Sequence, residues 1–149
     1  MSDREEKQTK TFIMIKPDGV ERGLMGQVIA RFEKKGLQLQ RVRLAHAARG
    51  LVEQHYREHS RKPFFKQLVD SIAGKNVLCM VWAGPSDIVA QARTLIGDSK
   101  IERRLPGTIR HDFACGFRDN VIHGSDCEEA VAWETSVWFD SPAAPMIGE

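Results

Sequence analysis

The stretch NVIHGSD, Asn120 to Asp126, sets one histidine between a short β-branched run and a glycine, with two helix-starting residues just after it. An imidazole titrates near pH 6.5, so His123 is a competent nucleophile at physiological pH without an activating base. A side chain at a strand end, just before a helix N-terminus, also meets unpaired backbone N–H groups and the positive end of a helix dipole, which tolerate an anionic phosphate. From position alone the commoner fate is a core histidine capping a strand, and that reading stands beside the catalytic one. An anion taken up by such a histidine would need positive charge beside it. Lys16 follows the apolar run TFIMI, where a side chain can emerge into a cleft, and basic residues crowd the segment KIERRLPGTIRHDF. The chain has no G-x-x-x-x-G-K-[ST] sequence, so Lys16 is not a Walker A lysine. Cys79, Cys115 and Cys127 are odd in number and form no C-x-x-C pair, which suggests neither a disulfide framework nor a zinc site.

The elements that must position these groups follow from hydrophobic periodicity. TFIMI, ended by the turn chemistry of KPDGV, reads as a buried strand. Met25, Val28, Ile29 and Phe32 recur at helical spacing, with Gly36 as the C-cap. LQLQRVRLAH alternates but changes parity between Leu39 and Val42, as a strand with a bulge or bend does. A helical pair follows in LVEQHYREH and PFFKQLVDSIAG, the second with Phe65, Leu68, Val69 and Ile72 on one face and Gly74 at its end. NVLCMVW is a third apolar strand, and SDIVAQARTLIG a helix with Ser86 as candidate N-cap. Residues 98–119 form a long charged connection, of a kind that is usually functional or disordered. NVIH is a short last strand, and Ser125 with Glu128 spells a capping box opening the helix EEAVAWETSVWF. This order matches an α/β (α+β) chain with a ferredoxin-like, four-stranded antiparallel sheet covered by helices.

The 149 residues, 42% hydrophobic, suffice for one domain over residues 1–149, with residues 1–10 and 140–149 expected to be loose tails. The 22 basic against 20 acidic side chains leave a net charge of +2, giving no global reason to expect a nucleic-acid or membrane partner. With no apolar leader and no run of about eighteen apolar residues, the expected compartment is the cytosol.

In order along the chain, IKPDGVERGLMG, HYREHSRKPFF, PGTIRHDF, NVIHGSD and WETSVWF resemble the nucleoside diphosphate kinase family, from about Thr11 to Phe139. The resemblance implies a reaction in which a nucleoside triphosphate gives its terminal phosphoryl group to His123, which passes it to a nucleoside diphosphate. It implies that Ser125 and Glu134 orient that histidine and that Tyr56 lies near it. Arg93 and Arg110 match the phosphate-binding arginines, and Ser99 stands where a threonine usually reaches the phosphates. Lys16 and Asn120 match the residues that hold the sugar hydroxyls. Phe64 matches the ring on which the base stacks, with Leu68 nearby and Phe117 opposite. The cofactor implied is Mg2+ carried by the nucleotide phosphates, with no direct protein ligand, and the assembly a homo-oligomer, a hexamer favoured. His46, His55, His59 and His111 match no such position and read as surface or structural residues.

One match strains the helix geometry. Nine residues of straight helix from Ser125 would put Glu134 roughly 14 Å along the axis, so contact with His123 requires the strand to double back alongside the helix or the helix to break early. Three departures fall in the long connection: Ser99-Lys100-Ile101 for the usual Thr-Asn-Pro, His111 for a glycine, and Arg118-Asp119 for Gly-Arg. They bear on phosphate affinity and subunit contacts. The competing reading is a catalytically weak nucleotide- or nucleic-acid-binding module that uses the basic 100–118 loop.

Overall fold

A computed structural model of the chain describes residues 9–141. The elements run β1 (Thr9–Ile15), α1 (Pro17–Glu21), α2 (Met25–Lys34), β2 (Gln38–His46), α3 (Arg49–His55), α4 (Phe65–Ile72), β3 (Asn76–Gly84), α5 (Ile88–Ile96), α6 (Ile109–Phe113), β4 (Ile122–Gly124) and α7 (Glu128–Thr135). Single 3-10 turns cover Arg57–His59 and Ile101–Arg103, and a wider π turn, Ser136–Asp140, extends α7. The four strands form one sheet in the order β2-β3-β1-β4, every pair antiparallel. The parity change in β2 is a register shift between Leu39 and Arg41 against β3.

β1 is the central organiser, and its unbroken apolar run follows from having helices on both faces. Ile13 and Ile15 point into a cluster with Val28 and Phe32 of α2 and Ala92 and Ile96 of α5. Phe12 and Met14 point the other way, against Val52 of α3, Val69 and Ile72 of α4, and Trp138. A strand buried on both sides loses the apolar/polar alternation that marks a half-solvated one.

Several expected boundaries shift. The expected N-terminal tail is shorter, because Thr9 and Lys10 already pair with Gly84 and Ala83 of β3. At the other end Asp140 still belongs to the turn that extends α7, and residues 1–8 and 142–149 lie outside the described residues. Ser86 does not cap α5. Asp87 holds the N-cap position, and its carboxylate accepts from Gln91 Nε2 at 2.7 Å. The capping box at Ser125 and Glu128 does not form either: Cys127 precedes α7, because the Ser125 hydroxyl is committed to Glu134. The long connection carries structure of its own, with Thr108 capping α6 by accepting from the His111 amide at 3.2 Å.

Candidate active site

β4 is only three residues long, yet it is fixed from all sides. Ile122, His123 and Gly124 pair with Ile15, Met14 and Ile13 of β1, and the Ser125 amide continues the ladder to the Phe12 carbonyl at 3.0 Å. Gly124 is a glycine for lack of room, since a Cβ there would lie 2.7 Å from Ile96 Cδ1 and 3.2 Å from Ile13 Cδ1. Upstream, Val121 is held at φ 71°, costly for a β-branched residue. Its carbonyl accepts from the Lys16 amide at 2.7 Å and its own amide donates to Asp18 Oδ2 at 3.0 Å. Where the sequence suggested a turn, Pro17, Asp18 and Gly19 open α1, and this helix start with Lys16 before it clamps the backbone two residues before His123.

Alternation along β4 sends Ile122 into the α2/α5 core and His123 to the opposite face, beside Phe12 and His55. His123 Nε2 donates to Glu134 Oε1 at 2.5 Å, and the other carboxylate oxygen takes the Ser125 hydroxyl. Nε2 being the protonated nitrogen, Nδ1 keeps its lone pair. The chain reverses between Gly124 and Glu128, and α7 returns beside β1. Glu134 then lies only about 9 Å into its helix, which resolves the geometric difficulty in favour of doubling back. Burial pushes the Glu134 carboxyl up, but the His123 and His55 rings and the Ser125 hydroxyl outweigh it and hold the group below its usual range.

His55, read from sequence as merely surface or structural, stands at the centre of this site. Its Nδ1 accepts from Trp138 Nε1 at 3.0 Å, which leaves Nε2–H directed at Glu134 Oε1, 3.8 Å away. Burial, with the neighbouring His123, pushes its pKa down to about 3, so it stays neutral. No sequence pattern marks it, because its partner Trp138 lies 83 residues away. His59 was also passed over; it lines a cavity of about 170 Å³ together with Tyr56, Glu58, Arg93, His123 and Asp126. Burial and the charge of Glu134 raise the Tyr56 phenol to about 12, so it is a neutral hydrogen-bonding group.

The two arginines bracket the histidine. Arg93 Nη1 donates to the Gly124 carbonyl at 2.9 Å and Arg110 Nη2 to the Ile122 carbonyl at 2.8 Å. Arg110 is buried with its Nε–H unpartnered, and burial, with Arg93 and Arg104 close by, lowers it to about 10. Arg93 is shared with a second cavity, about 370 Å³, that also contains Ser99, Thr94 and Arg103. Lys16 Nζ donates to Asn120 Oδ1 at 3.0 Å and to the Arg118 carbonyl at 2.9 Å, while Asn120 Nδ2 donates to the Phe117 carbonyl at 3.0 Å. Burial drops the Lys16 ammonium to about 8, against the opposing pull of Asp18. Phe64 and Phe117 are among the exposed large apolar side chains and Leu68 is half-buried; none of the three lines the histidine cavity.

The basic connection is less of a cationic surface than its sequence suggests, since Arg104 and Arg110 are buried and donate to backbone carbonyls while Lys100, Arg103 and Arg118 stay exposed. The cluster of His55, His123 and Glu134 does not suit a hard cation: the ligand atoms of His123 and Glu134 are already hydrogen-bonded to each other, and Mg2+ prefers oxygen ligands. Among the described residues no helix is long and apolar enough to cross a membrane.

The family profile described as nucleoside diphosphate kinase matches residues 9–143. A nucleoside diphosphate kinase of Exiguobacterium is 47% identical over 135 residues, covering 91% of this chain and 96% of its own. Nucleoside diphosphate kinase 1 of Pisum sativum is equally identical, covering 91% and 90%. Among solved structures, a nucleoside diphosphate kinase family protein from Babesia bovis superposes with a TM-score of 0.84 at 41% identity, covering 94% of both chains. A halophilic enzyme of Halobacterium salinarum in complex with CDP gives the same score at 40% identity, covering 93% of this chain and 91% of that one. With the profile spanning all but the ends and relatives this similar along nearly the whole length, the chain belongs to the nucleoside diphosphate kinase family of phosphotransferases.

Proposed function

We propose that the phosphoryl group travels through His123, in a ping-pong exchange between nucleoside triphosphates and diphosphates. The observation that carries this reading is the pairing of His123 Nε2 with Glu134, itself anchored by Ser125, which leaves Nδ1 free to attack. Nδ1 forms the new bond to the γ-phosphorus as the bond to the β-phosphate bridging oxygen breaks, and the diphosphate departs with that electron pair. The imidazolium charge that develops is met by the Glu134 carboxylate. A second diphosphate then attacks the phosphohistidine through its terminal oxygen, regenerating the neutral imidazole.

Arg93, Arg110 and Ser99 are assigned to the phosphates, Lys16 and Asn120 to the sugar hydroxyls, and Phe64, Leu68 and Phe117 to the base. The planar guanidinium fork matches a phosphate and stays charged. Stacking reads only the π-face of a base, so broad nucleobase tolerance follows. When bound to the phosphates, Mg2+ would supply charge neutralisation and alignment. Glu58 and Asp126, the carboxylates on the cavity wall besides Glu134, are the oxygen donors that would hold its hydration shell. A homo-oligomer, a hexamer favoured, and a cytosolic location complete the reading.

The test is incubation with γ-labelled ATP and Mg2+, removal of nucleotide, then addition of a diphosphate. Label is expected on the protein, stable in base and labile in acid, and is expected to pass to the diphosphate without further ATP. Labelling that survives His123→Ala would overturn the assignment.

A further inference from the structure

Arg104 is a cation in an unexpected setting. It is 8% exposed, while Ile101 and Leu105 of the same connection are exposed apolar side chains. No carboxylate among the described residues pairs with it. Its guanidinium donates instead to three backbone carbonyls: from Nε to Asp98 at 3.1 Å, and from Nη2 to Ser99 at 3.1 Å and to Gly116 at 2.8 Å. Those carbonyls belong to two separate stretches. Asp98 and Ser99 open the connection, on the wall of the cavity shared with Arg93. Gly116 closes it, one residue before Phe117, whose carbonyl receives Asn120.

Burying a charge without a counter-charge is expensive, and an apolar side chain of similar volume would fill the space more cheaply. A cation kept in such a place is explained by what its rigid, forked donors can reach. We propose that Arg104 is a positioning residue for phosphoryl transfer: one guanidinium staples both ends of the connection, so that Ser99 on the phosphate side and Phe117 on the base side stand in register before a nucleotide arrives. The proposal rests on the reading of His123 and its nucleotide site given above. The need for a staple comes from Ile101, which stands where the family pattern has proline. A proline there would narrow the unfolded ensemble and fix the entry to the turn. In this chain a single 3-10 turn begins at that position, and the residue just after the turn is Arg104.

Restoring the proline is therefore the sharpest test. Lys100 sits at φ −77°, ψ 121°, the extended setting a residue before proline adopts, and the first position of a turn does not need its N–H. His123 labelling by ATP is followed in single turnovers at rising ATP, alongside the thermal midpoint. Arg104→Met is expected to raise the half-saturating ATP by about tenfold, with the limiting rate changed by less than about threefold, a split that general destabilisation does not produce. Arg104→Lys, which keeps the charge but not the fork, is expected to behave as the Met variant does. Ile101→Pro is expected to recover most of the loss in the Met background and to change the unsubstituted protein less than about twofold, a coupling that a double-mutant cycle isolates.

An unchanged half-saturation in Arg104→Met, a loss confined to the limiting rate, or full rescue by lysine would overturn the proposal. Hydrogen exchange on the unsubstituted protein decides the matter if the variants do not fold. Amides at 99–104 and 116–118 are expected to open as one unit and to gain protection together with ADP, and independent opening of the two stretches overturns the staple. Absence of any label on the unsubstituted protein would instead sink the phosphotransfer reading, with the exchange experiment still judging the staple.

Discussion

Glu134 illustrates how one carboxylate serves two donors: a single buried group fixes the tautomer of His123 and the rotamer of Ser125. Beside it His55 contributes neutrality, and that has a pH signature. Its folded pKa, about 3, lies below the ordinary 6.5, so the stability it confers is complete above pH 6.5 and is lost as pH falls toward 3. Between pH 7.5 and 5 the loss from this group alone amounts to about 2 kcal/mol. His55→Gln, whose side-chain oxygen can still accept from Trp138, is expected to unfold in urea with a flatter pH dependence across that window. An unchanged slope would mean that His55 is not held neutral. Lys16 gives the opposite limb. Its ammonium is lowered to about 8, so each pH unit above 8 is expected to cost nearly tenfold in the KM for ADP. A KM flat to pH 10 would separate Lys16 from nucleotide binding. Phe64→Ala is expected to weaken ADP, GDP and CDP alike by about 1–3 kcal/mol, the usual worth of base stacking. Calorimetric titration reads this directly, and a loss confined to one base would point to edge hydrogen bonds instead.

The site is built at element ends, and β4 depends on how closely α5 packs beneath it. Gly124→Ala would drive a methyl group into Ile96 Cδ1, with an expected cost of roughly 1–3 kcal/mol for overpacking and a fall in His123 labelling. Ile96→Val, which deletes that methyl, is expected to restore much of both in the double variant. Urea midpoints together with labelling rates check it, and a fully additive pair would show that the close approach is not the cause. The same elements show what sequence can reveal. The strands, the parity change in β2 and the faces of α2 and α4 are local periodicities, so they were legible. Glu134 was reached only through resemblance, because its contact needs a chain reversal at residues 124–128 that no periodicity announces. Ser125 was misread as a cap because the capping-box pattern and a carboxylate ligand call for the same residue type. His55 and Arg104 were missed for a shared reason. An interior histidine and a loop arginine look ordinary until the backbone brings Trp138 to one and three carbonyls to the other.

For the molecule as a whole, two exposed apolar groupings bear on assembly. Leu39 and Val42 lie on β2, one of the two edge strands of the sheet, while Ile101 and Leu105 project from the connection. Apolar side chains on an edge strand and a separate apolar loop are surfaces that copies of the same chain can cover. The expected state is a homo-oligomer, with a hexamer favoured, held more weakly than usual because residue 101 lacks the proline and residue 111 has a side chain in place of a glycine. Light scattering coupled to size exclusion at rising urea is expected to show dissociation before helical signal is lost. A monomer in plain buffer, or an assembly that persists until the helices melt, would contradict this. The clamp at Val121 has a further consequence, in the timing of synthesis. The backbone before His123 is set by Lys16 and Asp18, 103 residues away for the carboxylate bond, and β4 pairs with the edge of β1 that β3 leaves bare. A ribosome-bound chain that has released β1, β2 and β3 can assemble those three strands while β1 still shows a bare edge. Contacts of such long range are the slow ones to form. The site around His123 therefore forms late, and a chain stalled before β4 emerges would carry three paired strands, no partner for His123 in Glu134 and a strand edge open to the next nascent chain on the same message.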